Sequence, residues 1–271
     1  MGTCASPQEM ELAQSLQSHN WPTLVELSEL KGGYPDTHNN IFDTISSFKV
    51  SHIRLNMGPD GGIARLRLYG LVSIHPCRLS TDELDLAAVE VGGVALGCSN
   101  QHYGKPSNLI VRGRGGCMGD GWETARQPAR PAVYTCGSDG LLVLPGSDWC
   151  VLRLGVVGTV NKVIVDTHYY KGNYPESCMI EACNHSSDEY VMSTLSTPSL
   201  SLSPSPSPSL SFPSLWKVLL PRVRLQPDTL HTFCAENIGE DVSHVKLTIY
   251  PDGGVMRLRI IGKRSQMASK L

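Results

Sequence analysis

The chain has 271 residues, with 23 Lys and Arg against 25 Asp and Glu and a net charge of −2 with His neutral. That length holds one large or two ordinary domains, each able to bury a core. The near-neutral balance removes the electrostatic case for nucleic acid or an anionic membrane surface, and no apolar run approaches the ~18–20 residues of a membrane-spanning helix.

The first six residues, Met1-Gly2-Thr3-Cys4-Ala5-Ser6, formally fit a myristoylation pattern, but Pro7 follows and no basic patch accompanies it. There is no apolar stretch of signal-peptide type. The nine cysteines, an odd number without a C-x-x-C pair, are therefore expected to be free thiols. Across residues 6–18, Met10, Leu12, Ala13 and Leu16 recur near helical spacing and predict a short helix. Trp21 to Leu30 reads as a strand and turn. A Gly/Pro-containing loop then leads to His38.

Residues 52–70, HIRLNMGPDGGIARLRLYG, have the pattern of a β-hairpin. Ile53, Leu55 and Met57 alternate with polar neighbours, Pro59 to Gly62 supply a turn, and Ala64, Leu66 and Leu68 alternate again. Residues 244–262, HVKLTIYPDGGVMRLRIIG, repeat this with ten of nineteen positions identical. Shorter matches, Trp21 with Trp216 and Pro35-Asp36-Thr37 with Pro227-Asp228-Thr229, extend the homologous blocks to about 21–70 and 216–262.

Between the copies, strand-like runs occur at 89–98, 109–111, 141–144, 149–154, 162–166 and 178–182, separated by Gly, Pro, Asn and Asp. Many short strands with such turns imply antiparallel sheets in a sandwich or barrel. Residues 193–214 alternate Ser and Pro, which can neither build a core nor donate regular ladder bonds, and are expected to form a disordered insert. The division is thus a partial first repeat at 6–73, holding later strands only, and a complete second repeat at 84–262. A tail at 263–271 ends in Ser269-Lys270-Leu271, the tripeptide read by the peroxisomal import receptor.

The second repeat carries GGVALGCSNQHYGKPSNLI (92–110), GRGGCMGDGWETAR (113–126), GLLVLPGSDWCVLRLG (140–155) and VDTHYYKGNYPESCMIEAC (165–183). With the duplicated PDGG stretch, these words resemble the allantoicase (allantoate amidinohydrolase) family from residue 15 to 262, apart from the Ser/Pro tract. The resemblance implies an all-β chain of tandem galactose-binding-like jelly-roll β-sandwiches, the first incomplete and N-terminally truncated. It also implies hydrolysis of allantoate to ureidoglycolate and urea, a homo-oligomer, and a peroxisomal setting that agrees with the C-terminal tripeptide. The family usually has Asp where Asn100 stands.

Cleaving allantoate, a carboxylate with two urea groups on one carbon, needs a clamp for the carboxylate, a base for water and an acid for the departing urea. Asp120, Glu123 and Arg126 offer an anion, a base and a bidentate donor within one segment. His102 with Tyr103, and His168 with Lys171, occupy two further loops. The expected catalytic set is Asp120, Glu123, His102 and His168, with Arg126, Tyr103 and Lys171 binding substrate. Purely structural readings stand beside these: a tight turn with a buried Trp122, a local Glu123–Arg126 ion pair, and hydrogen-bonded structural histidines. Arg65, Arg67, Arg257 and Arg259 are expected on a solvated or inter-repeat salt-bridged face. No metal is expected, since no His/Asp/Glu set has ligand spacing and any site would need distant loops. The rival functions are a non-catalytic galactose-binding-like module for a small ligand or a partner protein, and an inactive truncated isoform.

Overall fold

The computed structural model describes residues 5–45, 49–70, 72, 83–196, 215–236 and 238–265. The chain forms two units, Met1–Tyr69 and Gly70–Leu271. The C-terminal tripeptide, Cys4 and Cys77 and nearly all of the Ser/Pro tract lie outside the described residues.

The first unit contains helix α1 (Pro7–Ser15), where the periodicity placed one. Its start is fixed by a capping box: Ser6 Oγ accepts from the Glu9 amide, and the Glu9 carboxylate accepts from the Ser6 amide. A short turn at Ser18–Asn20 follows, and Trp21 Nε1 donates to the Leu16 carbonyl. The strand expected over Trp21 to Leu30 is absent, and no described residue of this unit is buried. The arms of 52–70 run without ladder partners, with Leu55, Met57, Leu66 and Leu68 about half exposed.

The described residues of the second unit form twelve strands: β1 (Leu84–Asp85), β2 (Val94–Cys98), β3 (Trp122–Glu123), β4 (Thr135–Cys136), β5 (Leu142–Val143), β6 (Asp148–Asp166), β7 (Ser177–Cys183), β8 (Lys217–Arg224), β9 (Leu230–Cys234), β10 (Val242–Tyr250), β11 (Gly254–Val255) and β12 (Arg257–Arg264). Two of the expected runs, 149–154 and 162–166, fuse into the 19-residue β6. Its N-terminal half lies between β2 and β10, and its C-terminal half between β12 and β9, all antiparallel. β10 continues to β7 and then β8, while β12 continues to β1. A single buried cluster draws on both groups of strands, from Leu152, Ile180 and Leu247 to Val163, Val165, Leu258 and Ile260. The two groups are therefore the facing layers of a β-sandwich, with β6 passing from one layer to the other.

The sequence read as two runs because the inward phase changes along β6. Cys150, Leu152, Leu154 and Val156 point to the core at even positions, Val163 and Val165 at odd ones. Between them the pairing steps from Lys162 to Val160 and skips Asn161, so one extra residue resets the alternation. The run at 109–111 is likewise no strand: Pro106–Ile110 forms a 3-10 helix that buries Leu109 and Ile110. Helix α2 (Asp188–Ser196) takes in the first residues of the Ser/Pro tract and sets Val191 against Val151 and Cys183 on the outer face of the β10 layer.

The second PDGG stretch is not a hairpin either. Its arms, β10 and β12, pair with opposite halves of β6 and not with each other, so residues 251–256 arch from one layer to the other. The two copies share the turn itself. Both have a cis X-Pro bond, and Gly61 and Gly253 hold φ of 136° and 133°, values open to glycine and hostile to residues with a Cβ. Among the described residues, only the second copy has strands to arch between. The seven described cysteines are free thiols, as expected.

Candidate active site

The site grows from the arch. β11 pairs with β3, so Gly254 lies opposite Glu123 and Val255 opposite Trp122. Asp252 is buried and accepts from the Gln127 amide and from Arg130 Nη2, each at 2.8 Å, fastening the segment after β3. Its counterpart Asp60 is exposed. The PDGG word is thus a fastener for the DGWET word.

Tyr170 closes the third side. Its ring fills the space beside two glycines: a Cβ on Gly254 would lie 2.0 Å from the ring, and one on Gly121 would lie 2.3 Å from the hydroxyl. The hydroxyl donates to the Met118 carbonyl at 2.7 Å. Burial, reinforced by the negative charge of Glu123, pushes its pKa up, so it stays a donor. Asn173 Nδ2 from the same loop donates to Glu123 Oε1 at 2.6 Å. This bond takes the place of the expected Glu123–Arg126 pair; Arg126 is exposed, with no hydrogen bond or ion pair among the described residues.

Trp122 is fully buried and its Nε1 donates to the Asn100 carbonyl at 2.9 Å. Asn100 Oδ1 accepts from the amides of His102 and Ala125. Since only a side-chain oxygen acts there, Asn supplies these contacts as well as Asp would. The amides of Tyr103 and Gly104 both donate to the Glu123 carbonyl, bringing the His102–Tyr103 loop alongside β3. The two rings meet edge to face at 4.4 Å, and Tyr103 is largely exposed.

Asp120, expected in the catalytic set, turns back on its own loop. Its Oδ2 accepts from the amides of Gly116 and Cys117 at 2.7 and 3.2 Å, and those bonds hold its pKa below the usual carboxylate range. A carboxylate so occupied braces the glycine-rich loop and is a poor proton carrier. The arginines of β12 brace the same loop. Arg257, nearly buried, donates to the carbonyls of Gly113 and Asp120, and Arg259 to those of Val111 and Gly113. The expectation of a solvated or inter-repeat face fails for this pair: guanidinium groups have enough donors to hold several loop carbonyls at once.

A second cluster gathers where β6 ends. Asp166 is fully buried and receives Arg114 bidentately, at 2.8 and 3.0 Å. The same carboxylate accepts the His168 amide at 3.0 Å. His168 Nδ1 lies 2.8 Å from Asp228 Oδ1, an oxygen that also accepts the Tyr169 amide at 2.9 Å. Those two contacts hold the Asp228 pKa low. Lys171 is exposed nearby, and its charge adds to the same effect.

The expected residues therefore fall into two groups joined by the 166–173 loop. Asp120, Glu123, His102 and Tyr103 surround β3, with Arg126 just beyond it. His168 and Lys171 stand on the other flank. Sequence reasoning missed Asn173, Tyr170, Asp166, Arg114 and Asp228. The first three lie in VDTHYYKGNYPESCMIEAC and Arg114 in GRGGCMGDGWETAR, while Asp228 is signalled only by its place in the Pro-Asp-Thr repeat. Among the described residues, no three or more His, Cys, Asp or Glu side chains gather as a metal site. A concavity of about 450 Å³ lined by Thr159, Leu219, Glu236 and Asp241 lies away from these groups and contains none of them.

The sequence matches the family model of the allantoicase repeat over residues 1–73 and 84–265. The chain belongs to the allantoicase family. A probable allantoicase of Photobacterium profundum is 38% identical over 269 residues, covering 97% of this chain and 68% of its own length. One from Pseudomonas savastanoi pv. phaseolicola is 38% identical over 250 residues, covering 91% and 64%. The chain thus spans about two thirds of the length of these allantoicases. The crystal structure of allantoicase from Saccharomyces cerevisiae is 33% identical, with a TM-score of 0.48, over 70% of this chain and 45% of that one.

Proposed function

We propose that the chain hydrolyses allantoate to ureidoglycolate and urea, with the chemistry in the second repeat. The observation that carries this reading is the convergence, at one end of a single sandwich, of the family's words DGWET, VDTHYY and PDGG. They place a half-buried carboxylate, Glu123, and an imidazole, His168, on the two flanks of the 166–173 loop. Each has one side engaged by a neighbour. In this reading Glu123, steadied by Asn173, takes the proton of the attacking water, and His168 protonates the urea nitrogen as it leaves. Lys171 and Arg126, exposed and unpaired among the described residues, attract the substrate carboxylate. Tyr103 and His102 flank the ureido groups. The residues supply acid, base and cation without a cofactor.

Urea released from allantoate by the whole chain tests the proposal. Turnover is expected; none at high enzyme concentration would leave the non-catalytic binding module in its place. The terminal Ser-Lys-Leu supports a peroxisomal location. Removing residues 269–271 should then leave the protein in the cytosol, and unchanged import would refute the address.

A further inference from the structure

We infer that Asp228 is a positioning residue that fixes the ring of His168, making an Asp–His dyad; this rests on the allantoate reading for its chemistry but not for its geometry. Among the five described histidines of the second unit that make ring hydrogen bonds or face the loops, the ring nitrogens are used in different ways. His231 has both engaged, Nδ1 with the Val165 carbonyl and Nε2 with the Gln226 amide. His244 likewise has Nδ1 on Ser243 and Nε2 on Asp188. These two are structural. His168 has a carboxylate on Nδ1 at 2.8 Å and no second hydrogen bond to a ring nitrogen among the described residues; its ring lies 4.1 Å from that of Tyr169, and about a quarter of its side chain is exposed. A carboxylate on Nδ1 selects the form with the proton there and leaves Nε2 to act.

The backbone holds Asp228 to this task. Asp228 sits at φ 48°, its amide donates to the Tyr170 carbonyl, and its Oδ1 accepts the Tyr169 amide. Next to it, Thr167 Oγ1 lies 2.7 Å from the Gln226 carbonyl and accepts the Thr229 amide at 3.0 Å, tying the 226–229 turn to the 167–170 loop. On the other side, buried Asp166 takes the His168 amide while Arg114 neutralises it. The ring is thus fixed at its backbone by one carboxylate and at Nδ1 by another. The equivalent of Asp228 in the first repeat, Asp36, is exposed and meets no such loop among the described residues.

In the step this serves, the hydroxyl of water bonds to the substrate carbon and its proton passes to Glu123. The C–N bonding pair stays on the leaving nitrogen, which takes the Nε2 proton of His168 in its doubly protonated imidazolium form and leaves the ring neutral. His168 keeps its Nδ1 proton on Asp228, and the proton on Glu123 returns to Nε2 through solvent.

The test is Asp228→Asn in the whole chain, read by urea release and by ¹⁵N spectra of the imidazoles. Asn retains an oxygen for the Tyr169 amide and tolerates positive φ, so the fold should persist; Asp36→Asn is the control and should change nothing. For Asp228→Asn, kcat should fall ~100-fold or more with KM within about twofold, and the His168 resonances should move to a different tautomer balance. An unchanged spectrum overturns the dyad, and a changed spectrum with kcat intact overturns its role in the reaction. A native chain that releases no urea refutes the allantoate reading, and the spectra still decide whether Asp228 sets the ring.

Discussion

At Glu123 two kinds of contact separate what holds the site from what can react. Its backbone is fully committed, to Gly104, Tyr103 and Gly254, while its side chain has one oxygen on Asn173. Glu123→Gln should lower turnover by about a hundredfold and leave the thermal midpoint unchanged, because the amide keeps the Asn173 contact and loses only the ability to take a proton. Equal losses in both would mark Glu123 as scaffold. Asp120, three residues away in the same word, differs because its charge is already spent on the amides of Gly116 and Cys117. Sequence could not tell these two acids apart: both are carboxylates in a glycine-flanked loop, and only the loop's path shows which one turns back on its own backbone. Asp228 was illegible for a related reason. It lies 60 residues from His168 in sequence, and nothing local in Pro-Asp-Thr announces an imidazole.

For the elements, alternation gave the faces correctly and the partners wrongly. The arms of 244–262 are strands with Leu247, Ile249, Leu258 and Ile260 inward, as a period of two requires. An arch between layers has the same alternation as a hairpin, and the choice depends on β6, nearly 80 residues upstream. β6 was itself hidden by the phase change at Asn161. The Trp of DGWET was legible as a buried anchor, and its indole does reach a backbone carbonyl. The arch also makes a sharp steric demand. Gly254→Ala would drive a methyl into the Tyr170 ring, at a cost of about 1–3 kcal/mol for overpacking a filled space. Denaturant unfolding should show that loss, and a midpoint unchanged from the native chain would mean that Tyr170 does not pack where it is placed. The same change at Gly62, where nothing lies within 4 Å, should be nearly silent.

Across the whole molecule, one repeat is built around a core and the other carries its words without one. In the second unit Trp122, Tyr170, Leu247 and Met256 are fully buried, while the described residues of the first unit bury nothing. The duplicated sequence is enough to set the turn, as Gly61 and Gly253 show, but a layer needs a long strand to pair with, and among the described residues before 70 β6 has no counterpart. The proposed chemistry accordingly lies in loops of the second unit's sandwich. Hydrogen exchange of the whole chain with and without allantoate tests that placement most directly. Allantoate should slow exchange in the amides of 102–104, 116–124, 167–173 and 226–229 and leave 52–70 unaltered; protection confined to 52–70 or to the concavity around Leu219 and Glu236 would contradict it.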